Sequence, residues 1–175
     1  MFRYLSIGVS NKTEDDKYVL FLDLDKTTKE QAIEIAIDII NQFHTSTIWI
    51  IQSSTGNHHL ICLDKFDYND FLKIANTYAH KEWVKYRSIS RHFVLRISGR
   101  IHPDGLVEDE PRVVAEIQSR FNEREKSNAH RLFMQKVYGL TIDKDKRFDS
   151  FTKVPVHFYQ IRVEDREYEE ETQLS

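Results

Sequence analysis

Tyr18-Val-Leu-Phe-Leu-Asp-Leu-Asp-Lys-Thr-Thr28 drives an apolar run straight into two carboxylates, Asp23 and Asp25. Side chains alternate faces along a β-strand, so residues two apart point the same way. Asp23 and Asp25 therefore share a face, while Leu22 and Leu24 enter the core. Because the run is apolar on both faces up to Leu22, it reads as a central, covered strand of a sheet. Its carboxyl end is where open sheets place their sites. Like charges this close repel unless a cation lies between them. Oxygen ligands on one rigid edge suit Mg²⁺ or Mn²⁺, which is commonly held by one or two carboxylates plus the phosphates of a substrate. The plainer reading is a solvent-facing strand end followed by a helix cap.

The neighbouring segments supply the rest of the fold. Upstream, Phe2 to Val9 is strand-like and Ser10 to Lys17 is a polar loop. Downstream, Thr27 or Thr28 caps a helix in which Glu30 or Gln31 can reach back to the cap. Ala32, Ile33, Ala36, Ile37, Ile40 and Phe43 form its apolar stripe. Thr47 to Gln52 and Leu60 to Leu63 are strands joined through Ser53-Ser-Thr-Gly-Asn-His-His59. That hydroxyl-rich turn reads as a hairpin that can also cradle an anion. Asp67 opens a second helix through Tyr78. Lys81 to Arg100 is basic and aromatic and ends in a strand at Phe93 to Ile97. His102 to Gly105 is a turn, Val113 to Ile117 a strand, and Ser127 starts a helix closed by Gly139. Val154 to Val163 is a last strand, with Pro155 marking an edge or a start. Several strands follow one another directly, so the fold is α+β: a mixed or antiparallel sheet flanked by helices.

A chain of 175 residues, 40% hydrophobic and rich in Phe and Tyr, is long enough for one packed domain. That domain spans residues 1–163, and 164–175 reads as an acidic tail, solvated or disordered. Cys62 is the only cysteine, which excludes an internal disulfide and a multi-cysteine zinc site. Apolar runs are too short to cross a bilayer and the N-terminus lacks a signal-peptide pattern, so the expectation is a cytoplasmic protein with no membrane partner. The net charge of −3 hides a basic stretch from Lys81 to Arg100, which leaves a nucleic-acid partner open.

Taken in order, Phe21-Leu-Asp-Leu-Asp25 resembles the first motif of the archaeo-eukaryotic primase superfamily. Ser53-Ser-Thr-Gly-Asn-His-His-Leu-Ile-Cys62 is similar to its second, and Phe93-Val-Leu-Arg-Ile-Ser-Gly99 to the strand found after the third in plasmid, viral and archaeal members. The likeness covers about residues 17–105. It implies an RRM-like primase core that makes primers in replication from nucleoside triphosphates on a single-stranded DNA template. Asp23 and Asp25 would hold Mg²⁺ or Mn²⁺, while His59, Ser54 and Thr55 would meet the nucleotide's phosphates. Arg96 would contact nucleotide or template. The third motif should add a metal-binding carboxylate where Trp83-Val-Lys-Tyr86 stands. Glu82 takes that role if the alignment slips, Glu116 if strand order allows, and otherwise Lys85 puts a positive charge into the site. In that case the chain is a degenerate relative that binds nucleic acid without catalysis. Zinc-binding cysteines and an accessory helical domain are missing, so a helicase or an accessory primase domain is the expected partner.

Two further readings compete. Asp23-Leu-Asp-Lys-Thr27 also resembles the opening motif of haloacid-dehalogenase-type phosphatases, with Asp23 as nucleophile; Glu108-Asp109 would have to serve as that family's later acidic pair. A binding module would use Lys85, Arg87, Arg91 and Arg100 as a nucleic-acid surface, with Trp83 stacking on a single strand. His58 and His59 are adjacent, so in a strand they face opposite ways and cannot hold one ion together. Hence His58 reads as a turn residue, and His44, His80, His92, His130 and His157 as surface or core-edge residues. Trp49 and Trp83 read mainly as core.

Overall fold

The computed structural model describes residues 2–143, 147–151, 156–164 and 169–174. Among those residues ten strands form two antiparallel sheets, accompanied by four helices. The first sheet holds β2 (Tyr18–Leu24), β4 (Asn57–Phe66), β3 (Ile48–Ser54) and β8 (Arg112–Ile117), in that spatial order. The second runs β10 (Glu169–Gln173), β9 (Phe158–Glu164), β1 (Phe2–Ser10), β6 (Arg100–Ile101) and β7 (Val107–Glu108), with β5 (Val94–Arg96) also paired to β1. The α+β, antiparallel expectation therefore holds.

β2 is not central. It ends its sheet, and β4 lies between β2 and β3. Every residue of β2 except Asp23 is nonetheless buried, because other backbone closes its free edge. Val19 N donates to Asn11 O at 2.9 Å and His80 N to Asp23 O at 2.8 Å. α2 (Tyr68–Tyr78) packs along the same strand. An apolar pattern reports cover on both faces; it carries no information about hydrogen-bonding neighbours.

α1 (Lys29–Phe43) starts at a reciprocal cap. Thr28 Oγ1 accepts from Gln31 N, and Gln31 Oε1 accepts from Thr28 N. Its buried face is Ala32, Ala36, Ile39 and Ile40, whereas Ile37, expected within the stripe, is exposed. Lys81 to Arg100 departs from the sequence reading, since Lys81–Ser90 is a helix, α3, ahead of the short strand β5. α4 (Asn128–Tyr138) begins at Ser127 and ends at Gly139, as its signals indicate. The acidic end is corrected too, because Glu169–Gln173 forms β10 on β9. β9 is consequently interior to its sheet. Val154 and Pro155, and residues 165–168 and 175 of the tail, lie outside the described residues.

Two small residues hold the sheets in position. Asn11, fully buried, donates from Nδ2 to Val19 O at 3.0 Å and accepts at Oδ1 from Phe93 N at 3.3 Å, which joins β2 to the chain entering β5. Gly8 sits between β5 and β9, opposite Arg96 and Tyr159. A Cβ there would lie 2.5 Å from Val94 Cγ1 and 2.9 Å from Ile161 Cδ1. Gly8→Ala is therefore expected to lower stability in urea unfolding by about 1–3 kcal/mol, the usual cost of overpacking. Unchanged stability would mean that β1 and β5 are free to separate.

Candidate functional site

The hairpin joining β3 to β4 fixes the register of everything that follows. Ser54 pairs with Asn57 across a tip of Thr55 and Gly56, with Gly56 at φ 76 supplying the left-handed turn. Ser54 Oγ accepts from Asn57 Nδ2 at 2.8 Å. The tip is tied to the end of β2, since Thr27 N donates to Gly56 O at 2.9 Å and Lys26 N to Asn57 Oδ1 at 3.1 Å. Counting back, β4 places His59 directly opposite Asp23 on β2. His59 Nε2 is 3.7 Å from Asp23 Oδ1. His58 goes to the other face, 3.1 Å from Thr27 Oγ1.

Asp23, Asp25 and His59 share one hollow with Ser53, Ser54, Asn57, Trp83, Arg87, Arg96 and Arg100, closed from the second sheet by Tyr4, Ser6 and Glu169. It measures about 140 Å³. Pockets that bury a whole small molecule run to roughly 300–1,000 Å³, so this one takes the end of a ligand. A wider hollow adjoins it, sharing Tyr4, Arg100, Val163 and Glu169.

Burial, and then the charge of Asp25, push the Asp23 carboxyl up to about 7, against the pull of Arg87 and Arg96. Its side chain is only 22% exposed. Burial also pushes His59 down to about 3, helped by the positive charge of Arg96. The imidazole is therefore neutral at physiological pH. Its Nδ1 is buried with no hydrogen-bond partner among the described residues. His80, at the start of α3, brings Nε2 within 3.5 Å of Asp25 Oδ2. Taken together, the hollow holds a carboxylate that a cation would ionise and a neutral ring with a free polar atom, beside buried guanidinium groups.

Several expected roles are corrected. Glu82 and Lys85 do not line the hollow. On α3, Trp83 and Arg87 are one turn apart and face it, whereas Lys85 borders a separate cleft against α2 and Glu82 is exposed. Glu116 lies on β8 and accepts from Trp49 Nε1 at 2.8 Å, at the opposite side of the sheet from β2. Neither acid completes the pair, and among the described residues no three His, Cys, Asp or Glu side chains are arranged to hold a metal ion. Thr55 stays at the hairpin tip, outside the hollow. Arg96 lines it but is committed to carbonyls: Nη1 donates to Ser98 O at 2.6 Å and Asp109 O at 2.5 Å, and Nη2 to Ser53 O.

The supposed basic surface is dispersed. Arg87 is buried inside, Arg91 stacks over Tyr68 at 4.1 Å, and Arg100 pairs with Asp109 at 2.7 Å. Glu108 lies 3.1 Å from His102, and the next element after Asp109 is the strand β8 where the phosphatase pattern needs a helix after its acidic pair. Trp83 contacts Phe93 within the core, as expected, while bordering the hollow. Sequence reasoning missed Ser53, Asn57, His80 and Glu169. Only Ser53 and Asn57 carried a signal, since both belong to the quoted turn.

Arg96→Lys keeps the charge but cannot reach three carbonyls, so unfolding experiments should show a loss of about 2–4 kcal/mol. An unchanged midpoint would mean those carbonyls find water. Asp23→Asn should instead raise stability at pH 8, because the wild-type carboxyl has a folded pKa above its unfolded one and loses stability as pH rises toward 7. The gain should shrink by up to about 1.4 kcal/mol per pH unit below 7 and close near pH 4. A gain independent of pH would show that Asp23 is ordinary.

Comparison of the chain with protein-family models, with curated protein sequences and with solved structures finds no match.

Proposed function

We propose that the chain is a primase–polymerase-like core whose hollow grips the triphosphate of a nucleotide together with a divalent cation, for nucleotidyl transfer in primer synthesis. The observation that carries this reading is the pairing of Asp23 with His59 across β2 and β4. Residues far apart in the chain meet there over one sheet face, beside Asp25 and three arginines. The run β2, α1, β3, β4 and α2, with β4 inserted between β2 and β3, also follows the split βαβ order of an RRM-like core. The next strand, β5, departs from that order by joining β1 in the other sheet.

Asp23 and Asp25 fit a single Mg²⁺ or Mn²⁺ that takes its remaining ligands from phosphate and water. When bound, such an ion neutralises phosphate charge and orients the group being transferred. Asp23 would release its proton as the cation arrives. Neutral His59 offers a ring nitrogen to a phosphate oxygen, and Ser54 a hydroxyl. Arg87, Arg96 and Arg100 set a positive field at the hollow.

A second reading is favoured by one specific observation: neither Glu82 nor Glu116 reaches the hollow, so the third carboxylate that a two-ion mechanism uses is missing from the expected positions. On that reading the chain binds nucleotide or single-stranded DNA and leaves transfer to a partner.

Titration calorimetry with Mn²⁺ and a nucleoside triphosphate tests the shared part. Affinity should rise with pH up to about 7 and level off above it, following ionisation of Asp23. Asp23→Ala should weaken binding at least about tenfold. Flat pH dependence or unimpaired binding by Asp23→Ala would sink both readings. Incorporation of labelled nucleotide on a single-stranded template, abolished in Asp23→Ala, selects transfer; binding without incorporation selects the second reading.

A further inference from the structure

Arg87 is the most buried cation of the hollow, and its counter-charges come from the far end of the chain. Its side chain is 5% exposed. Nη2 donates to Glu169 Oε1 at 2.9 Å, and the guanidinium also contacts Glu171. Alternation along β10 puts Glu169 and Glu171 on one side and Glu170, which is exposed, on the other. Glu169 reaches far enough in to line the hollow with Asp23 and Asp25.

The strand carrying these acids is weakly anchored. β10 is the outermost strand of its sheet, paired to β9 alone, and its sequence Glu-Glu-Glu-Thr-Gln buries no apolar side chain. Besides the backbone ladder it is held by polar contacts: with Arg87, with Tyr86 Oη, which donates to Glu169 O at 3.3 Å, and between Gln173 Nε2 and His157 Nδ1 at 3.2 Å. Elements without an apolar anchor open at low free-energy cost. His59, which lines the same hollow, keeps a buried Nδ1 with no partner among the described residues.

We propose that Glu169 and Glu171 occupy the place of phosphate oxygens, so that Arg87 is the polyphosphate-binding cation of the hollow and β10 is a competitor built into the chain. This rests on the polyphosphate reading above. A polyphosphate and the two carboxylates would compete for the Arg87 guanidinium and gather negative charge around Asp23 and Asp25, so entry of a polyphosphate displaces β10.

The test uses the full chain and inorganic tripolyphosphate with Mg²⁺. Glu169→Gln/Glu171→Gln should bind at least about tenfold more tightly than the parent, while Glu170→Gln, which removes a charge from the outward side, should stay within about twofold. In the parent, hydrogen exchange should show the β10 amides losing protection as tripolyphosphate saturates; this readout needs no variant to fold. Equal affinities for parent and double variant, or β10 protection unchanged at saturation, overturn the competitor while leaving polyphosphate binding in place. Absence of binding by every variant overturns both.

Discussion

The guanidinium of Arg96 is the joint on which the geometry of the hollow depends. It donates to the carbonyls of Ser53 at the end of β3, Ser98 just after β5 and Asp109 just after β7, and so pins the two sheets to each other at the mouth of the site. All three acceptors are neutral. A cation bonded only to dipoles is satisfied without being neutralised, so its field persists in the hollow. That field is part of what holds His59 neutral and opposes the rise in the Asp23 proton affinity. One side chain thereby serves both fold and electrostatics.

Around that joint, burial works against the charged groups. Asp23 sits at the end of an otherwise fully apolar strand, where desolvation and a second carboxylate two residues on both disfavour ionisation. A domain selected only for stability would place an amide or a hydroxyl there. Instead the chain keeps the carboxyl, a buried imidazole with an unused nitrogen, and a buried arginine that needs acids from another sheet. Groups whose proton affinities are driven apart within one cleft are the usual mark of a functional site.

Much of the core was legible in the residues themselves. The same-face placement of Asp23 and Asp25, the cap at Thr28 with Gln31, the hairpin at Thr55-Gly56 and the opposed faces of His58 and His59 all follow from local rules of alternation and turn chemistry. What escaped was decided by tertiary placement. The free edge of β2 is covered by the backbone of Asn11, just after β1, and of His80, just before α3, which leaves no trace in side-chain pattern. The short helix α3 turns Arg87 inward and Glu82 and Lys85 away, and a basic run of mixed polarity does not disclose which face is covered. Composition alone marks Glu169 to Glu171 as solvated; only the position of Arg87 explains why Glu169 and Glu171 turn inward.

The back-to-back histidines impose a further restriction on the hairpin that precedes them. Thr55 and Gly56 project at the surface, where length changes are ordinarily tolerated. Here an added or deleted residue that shifted β4 by one position would exchange His58 with His59 and send every side chain of the strand to the wrong side. The surface tip acts as a reading frame for the interior: Thr55 is free to vary, Gly56 is held by its left-handed backbone, and single-residue insertions and deletions are barred.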